Sequence, residues 1–243
     1  MCITVLMAFL TGIVLAAGAG TRMGRPKALM FSGADAWLSL AVQVLRDAGC
    51  DRVLVVLGAA ADVAAPLVPA GVEVVVAHDW AEGLGASLRA ALDAAAAHRA
   101  SAALVTLVDL PGMPATVAAR VAAGAHPGSL TQAVFGGRPG HPVLLGRDHW
   151  ASLSATLSGD RGARDYLAAH GATEIECGDL FDGLDVDSGP TAGSPEAAQA
   201  AVLAIAGGSD PALEAILLAN AYTDDLEARG LERLRRLRLL RPR

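Results

Sequence analysis

The chain reads as an α/β protein with a mainly parallel, twisted sheet flanked by helices. Three observations predict this class. Short apolar runs rich in β-branched residues alternate with longer alanine-rich stretches of helical spacing. Several runs stop abruptly at a glycine or aspartate loop, as buried parallel strands do where the chain turns toward a crossover helix. Hydrophobic residues make up 53% of the chain, enough for a core on both faces of a sheet.

The first strand is Gly12–Ala17, which runs straight into a glycine loop. Ala36–Ala48 has the spacing of an amphipathic helix and stops at Gly49. Arg52–Leu57 is a β-branched strand ending at Gly58, and Val72–Ala77 is another. Ala86–Ala97, just after Gly83-Leu84-Gly85, is a strong helix former. Ala102–Val108 is a strand that ends at Asp109, with Pro111 and Pro114 behind it. Thr116–Ala123 is helical. Leu130–Phe135 and Pro142–Leu145 are strands bracketing a Gly-Gly-Arg-Pro-Gly turn. Gly162–Ala169 is a helix and Thr173–Cys177 a strand. Beyond Gly189 the sequence turns into alanine-rich helix, then a linker over Gly207–Pro211, then one or two arginine-rich helices over Ala212–Arg243. The expected organisation is one domain over 1–205 and a helical extension over 206–243.

Charge and composition exclude several functions. Residues 1–223 carry 12 basic against 21 acidic groups, −9, while residues 224–243 carry 7 against 4, +3. A body at −9 is a poor binder of nucleic acid. Aromatics at 4% leave little for base-stacking surfaces. Cys2, Cys50 and Cys177 form no CxxC pair, so neither a zinc site nor a disulfide framework is expected and a cytoplasmic setting is the default. Residues 1–17 are apolar, but no basic residue precedes Arg22, so they read as a buried strand with a short extension rather than a signal or membrane segment. The arginines of the extension, from Arg229 to Arg243, lie among leucines. They suit either a helix packed on its own domain or a docking face for an acidic partner.

In strands of a parallel sheet, ligands bind at the carboxyl ends. The loops after Ala17, Ala77 and Val108 should therefore open on one edge. The first contains Gly18, Gly20 and Gly24, where backbone N–H groups can approach phosphate oxygens. Arg22 and Lys27 add positive charge there, and Lys27 is the only lysine in a chain with eighteen arginines. The spacing is neither a dinucleotide fingerprint nor a P-loop. Asp109 at the end of an apolar strand serves either as a turn residue or as a ligand for Mg²⁺, a hard cation suited to phosphate chemistry. Asp185-Val186-Asp187 places two carboxylates on one face of an extended segment. His141, between Gly140 and Pro142, is an oriented ring. It is either a hydrogen-bonded loop residue or a donor or proton acceptor for a second substrate. No G-x-S-x-G elbow supports hydrolase chemistry.

Leu15–Lys27 resembles the LAAGxGxRMGxxK signature of nucleotidyltransferases that activate sugar phosphates, alditol phosphates and molybdopterin. Five further blocks resemble the molybdenum cofactor cytidylyltransferase family within the MobA-like NTP transferases: His78–Arg89, Val108–Pro111, Gly136–Leu144, Gly159–Arg164 and Asp185–Ser188. The resemblance covers residues 12–190. It implies a Rossmann-like, GT-A-like nucleotidyltransferase fold and transfer of CMP from CTP to the terminal phosphate of molybdopterin, with release of pyrophosphate. It further implies Lys27, Arg22 and Asp109 as catalytic residues and Mg²⁺ on Asp109 and Asp187. The nucleotide would be bound by Leu15, Ala16, Ala17, Gly18, Gly20, Gly24, Gly58, Gly83, Gly85 and Ser87. The acceptor would be bound by Arg138, His141, Asp160 and Arg164. A recipient molybdoenzyme is the implied partner. His78, Leu110 and Ser188-Gly189 depart from the family pattern. Ala17 in the first loop, where guanylyl members carry glycine, leans toward CTP. Two alternatives stay open: a sugar or polyol phosphate acceptor, and a non-catalytic cofactor chaperone or redox protein on the same fold.

Overall fold

The computed structural model describes residues 9–185. Nine strands and six α-helices alternate along them: β1 (Leu10–Ala16), β2 (Phe31–Ser32), β3 (Asp35–Ala36), α1 (Trp37–Asp47), β4 (Arg52–Leu57), α2 (Ala61–Ala64), β5 (Glu73–Val76), α3 (Leu84–Ala96), β6 (Ala102–Leu107), α4 (Ala115–Ala122), β7 (Leu130–Phe135), β8 (Arg138–Gly146), α5 (Arg147–Thr156), α6 (Arg164–Ala169) and β9 (Thr173–Glu176). Seven strands form one sheet in the order β5-β4-β1-β6-β8-β7-β9, and β2 and β3 pair separately. Within the seven-stranded sheet only β8 runs against its neighbours, β6 and β7, and the separate β2–β3 pair is also antiparallel. The other contacts, β1 with β4 and β6, β4 with β5, and β7 with β9, are parallel.

Every residue of β1 is buried, because the strand is central and covered on both sides. Leu10, Val14 and Ala16 face α1 and α4, packing with Leu38, Val42, Leu45, Val117 and Val121. Ile13, Leu15 and Ala17 face α3, α5 and α6, packing with Leu88, Leu92, Leu153 and Leu167. This is strand alternation read into two core layers, with helices over each face.

Several expectations are corrected. The turn between β7 and β8 is Gly136-Gly137 alone, both at positive φ (59° and 75°), as a two-residue hairpin requires. Arg138, Pro139 and Gly140 are already strand. The helix after Gly83 starts at Leu84, with Gly85 inside its first turn. Gly85 is needed there because a Cβ would lie 2.9 Å from the Ser158 backbone nitrogen. Helices α2 and α5 have no counterpart in the sequence reading. No described helix is long and apolar enough to cross a membrane. The extension over 206–243, and Asp187 with its neighbours Ser188 and Gly189, lie outside the described residues.

Candidate active site

Strands β1, β4, β5 and β6 end on one edge of the sheet, and the loops that follow them meet there. They enclose a cleft of about 420 Å³. Its walls include Leu15, Ala16, Ala17, Gly18, Gly20 and Lys27 from the first loop, Gly83 and Ser87 from the start of α3, and Asp109 after β6. The sequence names all of these. Asp160, expected on the acceptor side, lines the same cleft, next to Gly83.

The first loop takes its shape from Gly20, which sits in the left-handed region at φ 64°. A Cβ there would come within 1.8 Å of the Arg25 carbonyl oxygen, so no other residue allows the loop to close on itself. The fold then brings Lys27 across to the other side of the cleft. Its Nζ donates to Asp109 Oδ2 at 2.7 Å, and both side chains are mostly buried. The other carboxylate oxygen, Oδ1, is buried and has no hydrogen-bond partner among the described residues. An orphaned carboxylate oxygen is costly to bury, and a hard divalent cation is the kind of partner it suits. Asp109 therefore fits one ligand position of the expected metal site.

The start of α3 forms the opposite wall. Gly83 precedes it at φ 112°, ψ −171°, and no side chain caps the helix. A Cβ at Gly83 would stand 2.5 Å from Asp160 Oδ1 and 2.6 Å from the Gly159 carbonyl. The Gly159–Arg161 turn thus lies directly on the helix terminus, whose uncapped N–H groups suit an anion. Gly58 does not line the cleft but fixes its side wall: a Cβ would meet Trp80 at 2.7 Å and the Ala17 oxygen at 2.5 Å.

His141 sits where β8 bulges. Gln132 pairs with Val143 and Val134 with Pro139, leaving Gly140, His141 and Pro142 opposite the single residue Ala133. A bulge of this kind re-aims a side chain. The His141–Pro142 peptide bond is cis. Burial pushes the His141 imidazole down to about 4, opposed by the charge of Asp109 and reinforced by Arg164. At neutral pH the ring is therefore uncharged, within electrostatic reach of both residues.

The other acceptor candidates are dispersed. Arg164 lines a second cavity beneath α6. Arg138 lines a third, open one and donates to the Asp182 carbonyl at 3.4 Å. Gly24 and Gly85 do not line the cleft. Only the backbone of Arg22 is described, in a short 3-10 turn over Thr21–Met23. Of the departures, Leu110 is buried in the α1/α4 core layer and His78 is exposed. Trp80 and Thr21 line the cleft without having been singled out. Thr21 lies within the Leu15–Lys27 signature and Trp80 within His78–Arg89, so the family resemblance is the signal that marks both.

A family model described as MobA-like NTP transferase domain matches residues 12–174. A protein of Paenarthrobacter nicotinovorans named nicotine blue oxidoreductase is 37% identical over 191 residues, covering 73% of this chain and 92% of the relative. A molybdenum cofactor guanylyltransferase of Rhizobium johnstonii is 34% identical over 175 residues, 68% of this chain and 78% of the relative. Among solved structures, the Mycobacterium tuberculosis protein Rv0371c in complex with manganese superimposes with a TM-score of 0.61 at 29% identity, covering 74% of this chain and 94% of that one.

Proposed function

The chain belongs to the MobA-like NTP transferase family, and on that premise we propose that it moves CMP from CTP to the terminal phosphate of molybdopterin, releasing pyrophosphate. The observation that carries the reading is the Lys27–Asp109 pair. These residues lie 82 positions apart in sequence and meet at 2.7 Å on the wall of a glycine-lined cleft.

An oxygen of the acceptor phosphate attacks the α-phosphorus in line. One P–O bond forms, the bond to the leaving pyrophosphate breaks, and no enzyme-bound intermediate is required. The protein's task is alignment and charge neutralisation. The Gly18–Gly20 backbone and the start of α3 hold phosphate oxygens, and Lys27 balances their charge. Asp109 and, outside the described residues, Asp187 would hold Mg²⁺ or a similar divalent cation. Such a cation supplies neutralisation of the phosphate oxygens. The M. tuberculosis protein, solved with manganese, supports a divalent metal in this fold. Neutral His141 orients the acceptor by hydrogen bonding, since an ionised phosphate needs no general base. Asp160, beside Gly83, is on the nucleotide's side of the cleft. Ala17 favours CTP over GTP in this reading.

The test is transfer of α-labelled nucleotide to molybdopterin, with CTP, GTP and ATP compared. Label on molybdopterin from CTP alone is expected. Transfer from GTP instead would move the base assignment to that of the R. johnstonii relative. A second reading, a redox enzyme on this fold, is favoured by the P. nicotinovorans relative. It predicts no pyrophosphate release from any nucleotide by the folded protein.

A further inference from the structure

The chain leaves β9 at Glu176 and is described as far as Asp185, two positions short of Asp187, the expected second metal ligand. Several contacts fix the course of this 177–185 segment. Arg120, in the last turn of α4, donates to both oxygens of the Asp179 carboxylate, at 2.6 and 2.9 Å, and to the Glu176 carbonyl at 3.0 Å. The Glu176 carboxylate accepts from the backbone N–H groups of Gly136 and Gly137, in the β7–β8 turn, and of Gly178. Phe181 meets the Phe135 ring edge-on, with 5.8 Å between centroids. Gly183, at φ 71°, passes so close over Phe135 that a Cβ would lie 2.3 Å from its ring.

This course runs along the Asp109 loop. The Phe181 ring stands 3.7 Å from where a Cβ on Gly112 would lie, three residues after Asp109. Leu180 and Phe181 pack on the core layer that contains Leu110 and Met113. The segment leading to the expected second carboxylate thus lies against the loop that carries the first.

Global stability is a poor account of the Arg120 clasp. A bidentate fork is among the strongest pairings of an arginine with a carboxylate. Yet the Arg120 and Asp179 side chains are 37% and 61% exposed, and exposed pairs contribute little to overall stability. The clasp acts locally. It ties both ends of the 176–179 turn to one helix and so removes freedom from the chain that follows. Helix α4 itself begins at Ala115, close behind the Asp109 loop, so it is a common reference for both carboxylates.

We propose that Arg120 is a positioning residue for the divalent-metal site: through Asp179 it holds the 177–185 segment on the course that brings Asp187 to the cation shared with Asp109. The inference rests on the nucleotidyltransfer reading, which supplies the metal, but its readout is metal affinity and not turnover. A ligand carried on a segment ordered beforehand binds without meeting the cost of ordering it. Opening the clasp returns that cost to the binding step.

The probe is Mn²⁺ alone, titrated against the full-length protein and followed by loss of the free-ion electron paramagnetic resonance signal. Arg120→Ala should bind Mn²⁺ about tenfold more weakly than wild type, the low end of what a supporting contact is worth to a metal site. Asp179→Ala should reproduce that loss, because either substitution opens the same clasp. Neither variant should change the melting temperature measured without metal. Wild-type Mn²⁺ affinity in either variant, or a loss of affinity that only accompanies a fall in melting temperature, overturns the proposal and leaves the transfer reading standing. Absence of Mn²⁺ binding by folded wild type removes the metal site, and the inference with it. Binding that depends on Arg120, without pyrophosphate release from any nucleotide, would keep the positioning role and remove the transfer reaction.

Discussion

Asp109 gives one oxygen to Lys27 and keeps the other buried without a partner among the described residues. A fold under selection for stability alone would not retain such a group. If a divalent cation completes it, adding Mn²⁺ should stabilise the wild-type protein by about 2.7 kcal/mol at a hundredfold excess over the dissociation constant. A melting curve should therefore shift upward by several degrees for wild type and not for Asp109→Ala. An equal shift in both would place the metal elsewhere. His141 gives a second check. Above about pH 6.5 its ring is neutral in both folded and unfolded chains. As pH falls from there to about 4, the unfolded chain takes up a proton that the half-buried, desolvated ring refuses, so stability is lost over that window. Below it the folded ring also protonates and the loss levels off, at up to about 3 kcal/mol. Urea midpoints at pH 7 and pH 4.5 should thus fall further for wild type than for His141→Asn. Matching falls would mean that the ring titrates normally.

The elements around the cleft differ in how much substitution they tolerate, and the first loop shows why. Gly20 and Gly24 both adopt positive φ, 64° and 70°. A Cβ at Gly24 meets nothing within 4 Å, whereas one at Gly20 would strike the Arg25 carbonyl. Gly24→Ala should therefore cost only the backbone strain, about 1 kcal/mol. Gly20→Ala should cost several times that, because the loop must open, and CTP affinity should fall with it. Equal stability losses in the two variants would refute this account of the loop. The same logic explains what the sequence concealed. Gly85 looked like a residue ahead of the helix because glycine disfavours helix interiors. It lies within the first turn because the Leu157–Gly159 backbone packs against it, a contact invisible to local pattern. Helix α5 was missed because Gly146-Arg147-Asp148-His149 offers no Ser, Thr, Asp or Asn at the capping position. It is held instead by tertiary contacts, with Trp150 donating to the Leu145 carbonyl at 2.8 Å and Arg147 to the carbonyls of Ala96, His98 and Ala100.

At the scale of the molecule, the central parallel strands β1, β4 and β6 were legible because each is a short, largely buried run closed by a glycine or an aspartate. The cleft was legible because its residues lie in the loops at the carboxyl ends of those strands. The pairing of Lys27 with Asp109 was not, since spacing alone cannot say which loop faces which. Nor was the separation of the acceptor candidates. Arg138, His141, Asp160 and Arg164 stand in two compact sequence blocks, but the fold places Arg138, Asp160 and Arg164 on three different cavities and His141 in the bulge of β8. The central claim is that the Lys27–Asp109 cleft performs nucleotidyl transfer. It is tested most directly by pyrophosphate release from CTP with Mg²⁺ and molybdopterin, measured for wild type and Lys27→Ala side by side. The account predicts release by wild type and a turnover about 100- to 1000-fold lower in the variant, the scale of losing one charge-stabilising donor. Equal turnover in the two, or no release by a folded wild-type protein with any nucleotide, would contradict it.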